Sequence, residues 1–268
     1  MAAEWPPGAH WHPAESRLEP TLLARGAWDR GTLQGRLLAA LAARQIELDH
    51  GGEGRHCARL TVDLLRVAPF APVAVESELV RDGRTLRAVD ATVSCEGKLV
   101  ARASAVLLRR GEQPPAAAWQ APEWEVPDPP DLAVDASPEA THLPLEVRSI
   151  TPGGFRGAGR KRLWLRELRG LVEGEEWTPL QRAAAAADLA NAVANSGVEA
   201  NWFVNADISL QLGRPPAGEW IGLDVAGHVS EAAVAVAWCE LYDQRGRIGT
   251  AAISAVASAR PIEIPASG

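Results

Sequence analysis

Asp188 follows an unbroken run of five alanines, Ala183 to Ala187, and no other charge occurs between Arg182 and Glu199. A carboxylate in a helix interior has poor propensity and, once buried, costs several kcal/mol unless hydrogen bonds replace its water. Gln181, Asn191 and Asn195 lie at offsets of minus seven, plus three and plus seven, so on a helix they join Asp188 in one polar stripe. Solvated helix faces carry Lys and Glu, which this stripe lacks. An acid in that setting needs a reason to be there, which makes Asp188 the first place to look for chemistry. The alternative reading, a face turned to solvent, needs no chemistry.

A good helix start precedes the stripe. The Thr178 hydroxyl can cap the amide of Gln181, Pro179 takes the first helical position where its missing N–H is not needed, and Gln181 can reach back. The helix is expected to end near Asn195-Ser196-Gly197, with Gly197 as the left-handed residue. Strand-like runs follow at Ala206 to Leu212, Trp220 to His228, Ala232 to Leu241 and Ile248 to Ala257, with Asp243-Gln244-Arg245-Gly246 as the last turn.

The first half has the same order. Leu33, Leu37, Leu38, Leu41, Ala42 and Ile46 form the buried stripe of a helix stopped at Gly51-Gly52. Runs at Leu60 to Leu65, Val73 to Val80, Thr85 to Val93 and Leu99 to Leu108 then read as a meander with turns at Asp82-Gly83 and Glu96-Gly97. An offset of 149 lays Val93-Ser94-Cys95-Glu96-Gly97-Lys98-Leu99 over Tyr242-Asp243-Gln244-Arg245-Gly246-Arg247-Ile248, and one of 148 lays Arg66-Val67-Ala68-Pro69 over Arg214-Pro215-Pro216-Ala217. The helices overlay under the same offset, with Ala39 opposite Asp188. One fold used twice is the expectation. Arg59 and Asp207 hold matching positions, so a structural charge pair near the pseudo-twofold is expected.

Between the halves, Arg110 to His142 contains Pro114, Pro115, Pro122, Pro127, Pro129, Pro130 and Pro138, a density expected to hold neither a helix nor a central strand. It reads as an extended linker, with Trp119 and Trp124 laid against a surface. The expected division is a first domain over 1–112, a linker over 113–143 and a second domain over 144–268.

Composition narrows the partners. The chain has 268 residues, 47% hydrophobic and 23% charged, which excludes a wholly disordered protein. Acidic residues outnumber basic ones 34 to 27, and the net charge of −7 argues against nucleic acid or an anionic membrane as the main partner. No run of 18 uncharged apolar residues occurs, so no membrane span is expected. The opening residues carry Pro6, Pro7 and Pro13 in place of a basic cluster and an apolar run, which predicts no signal peptide and a cytoplasmic location. Cys57, Cys95 and Cys239 lack a Cys-x-x-Cys spacing and read as buried thiols. His10-Trp11-His12 reads as a surface feature near the terminus, and no metal or cofactor is expected.

A long helix wrapped by a curved antiparallel sheet, used in pairs, is the hot-dog fold. The whole chain resembles the acyl-CoA thioesterase II-like family of tandem hot-dogs. The resemblance rests on Arg25-Gly26-Ala27-Trp28-Asp29, Ala58-Arg59-Leu60-Thr61-Val62-Asp63-Leu64-Leu65-Arg66 and Glu78-Leu79-Val80-Arg81-Asp82-Gly83-Arg84. It continues through Val172-Glu173-Gly174-Glu175, Asn205-Ala206-Asp207 and Arg214-Pro215-Pro216. It implies an α+β double hot-dog with two long helices, each wrapped by a curved antiparallel sheet.

The resemblance also implies that Asp188, with a Thr or Ser and a Gln from neighbouring strands, orients a water for attack on a thioester carbonyl while a backbone N–H holds the oxyanion. The Thr position falls on Asn205, which can hydrogen-bond water but has no hydroxyl. The Gln position falls on Ser254 or, one earlier, on Ile253, and the corresponding first-half residues are Ser104 and Ala105. The family's His-Gly-Gly is Gln34-Gly35-Arg36, which leaves Gly35 as the oxyanion donor, with Asn191 as a further substrate-binding candidate.

Other chemistries lack their residues. There is no Gly-x-Ser-x-Gly elbow, no phosphate-cradling Gly-x-x-x-x-Gly-Lys-Ser/Thr loop, and Val193 stands five after Asp188 where hot-dog hydratases resemble one another in a His. The leading expectation is hydrolysis of an acyl-CoA or related acyl thioester. Binding of such a thioester or another apolar ligand without turnover is the alternative, and a structural oligomerisation module is the third reading; a homo-oligomer is compatible with each.

Overall fold

Two alanine- and leucine-rich segments become the long helices, and the alternating runs around them join in a single sheet. The computed structural model describes residues 5–52, 54–115, 118–120, 122, 124–157 and 159–262. In chain order the elements are β1 (Ala9–Ala14), β2 (Arg17–Pro20), α1 (Gly35–His50), β3 (Arg55–Leu64), β4 (Val73–Asp82), β5 (Leu86–Cys95), β6 (Lys98–Arg109), α2 (Pro138–Thr141), β7 (Leu145–Ser149), β8 (Arg162–Glu167), β9 (Gly170–Val172), α3 (Pro179–Asn195), β10 (Asn201–Asn205), β11 (Asp207–Leu212), β12 (Ile221–Glu231), β13 (Val234–Asp243) and β14 (Gly246–Ile262).

The strand order is β7-β8-β12-β13-β14-β11-β3-β6-β5-β4-β2-β1-β9, with β10 also on β14. The sheets of the two halves join into one, as the paired fold implies. β3 and β11 pair antiparallel and fuse the halves, and β1 near the start of the chain takes β9 as a parallel neighbour. On either side of the junction the order mirrors itself: β3-β6-β5-β4 one way and β11-β14-β13-β12 the other.

The register at the junction locates the symmetry. Thr61 faces Ser209, two residues 148 positions apart, so the pseudo-twofold passes between them. Arg59 faces Gln211 and Asp207 faces Asp63, which separates Arg59 from Asp207 by four rungs. The expected charge pair is thus absent from the junction. Asp63 is paired instead with Arg102 at 2.7 Å, and Asp207 Oδ1 accepts the Ser254 N–H at 2.5 Å.

Both helices bury an apolar face against each other and the sheet. Leu37, Leu38, Leu41 and Ile46 of α1 are buried, as is the alanine run of α3, and these residues belong to one continuous core. The helix starts are 144 positions apart, not 148 or 149. The helices are thus offset from the strand register by about one turn, which keeps the same face. α3 opens with the expected capping box of Thr178 and Gln181 behind Pro179. It ends at Asn195, as expected, but without the left-handed glycine: Gly197 has no left-handed φ, and Ser196 leaves the helix extended to bridge Asn201.

The proline-rich segment also departs from expectation in one place. α2 forms inside it, because Pro138 sits at the first helical position and Ser137 Oγ accepts the Ala140 N–H. Trp124 stacks on Tyr242 with ring centroids 4.2 Å apart and tilts onto Trp164 at 5.0 Å, so this part of the segment lies against the second half. Trp119, 86% exposed, does not.

Candidate active site

The first turn of α1 meets the middle of α3. A β-carbon at Gly35 would stand 3.4 Å from Asp188 Oδ1 and 3.7 Å from Oδ2, so the first turn of α1 abuts this carboxylate and the Arg36 backbone N–H faces it. Asp188 thus lies where the helix leaves N–H groups without intrahelical partners and where the helix dipole favours an anion. From the sheet side, Asn205 Nδ2 donates to Asp188 Oδ1 at 2.8 Å.

Helix propensity alone does not put Asn205 there. β10 is tied to α3 by Asn191 Nδ2, which donates to the Phe203 carbonyl at 3.1 Å, while Asn195 Nδ2 donates to Asn191 Oδ1 at 2.8 Å. Three members of the polar stripe therefore act together: Asn195 holds Asn191, Asn191 holds the strand, and the strand delivers Asn205 to Asp188. Gln181 belongs to the capping box at the far end of the helix.

Asp188, Gly35, Asn191 and Asn205 border a cavity of about 130 Å³. Its apolar wall includes Trp28, Leu33, Leu143, Phe155 and Val204. Glu139 and Arg156 also line it and are paired with each other. The cavity has the make-up of a small-molecule site, mostly apolar with a few convergent polar groups. Burial pushes the Asp188 carboxyl above the usual carboxylate range; the Asn205 amide, the Arg36 charge and the Arg36 backbone N–H oppose that rise.

Two expected residues behave differently. Asn191 borders the cavity, but its amide is spent on Phe203 and Asn195. Ser254 does not line the cavity, and the reason is strand parity. Asn205 pairs with Ala255, whose neighbour Ile253 is likewise buried toward the helix, so Ser254 points to the other face of the sheet. The side chain directly across from Asn205 is a methyl group.

Sequence reasoning missed a buried charged cluster behind the site. Arg36 is 1% exposed; its Nη1 lies 2.6 Å from Glu167 Oε1 and its Nε donates to Gln34 Oε1 at 2.6 Å. His10, fully buried on β1, bonds the Leu23 carbonyl through Nδ1 at 3.0 Å and has Nε2 3.9 Å from Glu167 Oε2. His10-Trp11 is thus not a surface feature: both residues are 0% exposed, and only His12 reaches solvent, beside Glu173. The available signal was Arg36 itself, placed directly before two buried leucines of the helix.

The pseudosymmetric location holds a second cavity of about 270 Å³. Glu47 of α1 faces the start of α3 there, as Asp188 faces the start of α1. Thr178 Oγ1 donates to Glu47 Oε2 at 2.5 Å. Burial raises the Glu47 carboxyl, with the Thr178 and Gln181 bonds acting against it. Pro179, the first residue of α3, supplies no N–H where Gly35 opens α1.

Residues 24–108 match the acyl-CoA thioesterase N-terminal domain family, and residues 112–254 match the acyl-CoA thioesterase C-terminal domain family. The chain belongs to the acyl-CoA thioesterase family. Among solved structures it is similar to the TesB protein of Mycobacterium avium subs paratuberculosis, at 18% identity and TM-score 0.66, over 91% of this chain and 94% of that one. It is also similar to acyl-CoA thioesterase II TesB2 of Mycobacterium marinum, at 14% identity and TM-score 0.60, over 94% of each chain. A conserved protein of unknown function with a hot dog fold from Alicyclobacillus acidocaldarius gives TM-score 0.72 at 16% identity, over 93% and 96%. These likenesses establish a hot-dog fold. Among curated proteins none matches the chain.

Within the family, both matched domains contribute to the site: α1 from the first supplies Gly35 and Arg36, and α3 and β10 from the second supply Asp188 and Asn205. The three cysteines are buried free thiols, and burial pushes Cys57 and Cys239 up to about 12, which keeps them as thiols and outside nucleophilic chemistry. Among the described residues, no helix is long and apolar enough to cross a membrane.

Proposed function

We propose that the protein hydrolyses an acyl-CoA or related acyl thioester in the cavity beside Asp188. The observation that carries this reading is the convergence of a desolvated carboxylate, an amide side chain and an open helix N-terminus on one apolar-walled cavity. Asp188 in its charged form takes a proton from a water as the water oxygen bonds to the thioester carbonyl carbon. Asn205 commits its Nδ2 to Asp188, which leaves Oδ1 to accept from that water. The carbonyl oxygen gains negative charge and is met by the Gly35 N–H at the positive end of α1. Collapse of the tetrahedral intermediate breaks the C–S bond; the leaving thiolate takes from Asp188 the proton that Asp188 took from water, which restores the charged carboxylate, and the carboxylic acid and the free thiol are released.

A second reading, binding of the thioester without turnover, is favoured by one observation. Ala255 stands across from Asn205, where a side-chain amide would give the water another holder. The two readings separate in one assay. Purified protein with a panel of acyl-CoA esters and a thiol reagent should release free CoA, and Asp188→Ala should lower kcat by about 10²-fold or more, the scale of a lost general base. CoA release untouched by Asp188→Ala would overturn the assignment of this carboxylate. Binding of acyl-CoA by calorimetry with no release would establish the second reading.

A further inference from the structure

The buried cluster behind α1 is expensive as a stability device. Arg36, Glu167 and His10 come from three separate elements, and Arg36 Nη2, Glu167 Oε2 and His10 Nε2 are buried without partners among the described residues. Buried ion pairs with unsatisfied atoms seldom repay their desolvation, so their presence calls for another role. Arg36 stands in the first turn of α1, next to Gly35 and on the wall of the cavity that Asp188 borders, and its guanidinium is fixed by Gln34 and Glu167.

We propose that Arg36 and Glu167 form the positioning element for Asp188: the guanidinium, anchored by Glu167 and Gln34, locks the first turn of α1 against the carboxylate. This rests on the hydrolytic reading of Asp188 given above. The charged surroundings make the assignment specific. From α1 the charge facing Asp188 is Arg36; from β10 it is met by the neutral Asn205. Glu139 of α2 and Arg156 of the loop between β7 and β8, the remaining charged residues of the cavity wall, neutralise each other. His10 lies behind Glu167, and burial holds it toward its neutral form against the pull of the nearby Glu167 carboxylate. The electrostatic consequence has a sign that packing lacks. Removing the cation favours the protonated form of Asp188, whereas removing the Glu167 anion favours the charged form.

The test is the pH dependence of kcat/KM for acyl-CoA hydrolysis, together with direct titration of the Asp188 carboxyl by carbon-13 NMR in the ligand-free protein. Arg36→Gln should move the acid limb and the Asp188 titration up by about one pH unit, the effect of losing a nearby opposite charge. Glu167→Gln should move both down, Arg36→Lys should stay near the parent, and the double variant Arg36→Gln with Glu167→Gln should fall between the two. Shifts of the same sign in both single variants, or lowered activity with no shift, would overturn the proposal. If Arg36→Gln does not fold, the downward shift in Glu167→Gln and the behaviour of Arg36→Lys decide the matter. If the parent releases no CoA, the hydrolytic reading fails, while the NMR titrations still test the positioning role.

Discussion

Asn205 Nδ2 donates to Asp188 Oδ1 at 2.8 Å, joining a strand residue to a helix residue 17 positions earlier in the chain. This bond favours the charged carboxylate against the effect of its burial. Asn205→Ala should therefore lower kcat by about 10-fold to 100-fold and move the acid limb of the pH profile upward, since Asp188 would then protonate at higher pH. Asn205→Thr restores a hydroxyl that can donate and should recover part of the rate. Steady-state kinetics from about pH 5 to pH 9 check this, and an unchanged acid limb in Asn205→Ala would refute it.

Asp188→Asn should separate stability from activity. The folded carboxyl is raised above its unfolded value, so keeping it charged costs stability above the unfolded pKa, and the cost disappears as pH falls below that value. The Asn variant should gain about 1 kcal/mol at pH 7, a typical functional-site trade-off, and converge with the parent near pH 4, while losing hydrolysis. Urea denaturation at the two pH values measures the difference; a variant less stable at pH 7 would contradict it.

Gly35→Ala probes the helix start. Its β-carbon would meet Asp188 Oδ1 and Leu64 Cδ1 at 3.4 Å, the near edge of ordinary contact, and Gly35 has no left-handed φ. The variant should fold with stability unchanged or higher by about 0.5 kcal/mol from reduced unfolded-state freedom. The methyl group would nonetheless take space beside the carboxylate, so kcat should fall about 10-fold or more. Comparison of melting temperature with kcat on the same samples checks the separation, and full activity would place the reacting atoms away from Gly35.

Phe155 should influence which acyl group fits. It is buried and forms part of the cavity wall. Phe155→Val enlarges that wall, and the ratio of kcat/KM for longer over shorter acyl-CoA esters should rise about 10-fold, the scale of pocket discrimination per methylene or two. A ratio unchanged across the series would mean that the acyl chain leaves by another wall.

Much of this architecture follows from local pattern. The helix-period leucines of α1, the capping box of α3, and the period-two runs of β3 to β6 and β11 to β14 were legible because each depends on residues close in sequence. The lone Asp188 among alanines also marked itself, since a charge without nearby partners on a packed helix needs an explanation.

Tertiary structure decided the rest, because the partners are far apart in the chain. β1, β2 and β7 to β9 are short or proline-punctuated and become strands only by adding to an existing sheet edge. The parity that turns Ser254 away depends on the β10–β14 register, which places Ala255 opposite Asn205. Arg36 meets Glu167 across 131 positions. The sequence by itself determined a pair of wrapped helices and an unusual acid on the second one. Only folding determined that this acid faces the start of the other helix, because hydrogen bonds and burial act through space and leave no periodicity along the chain.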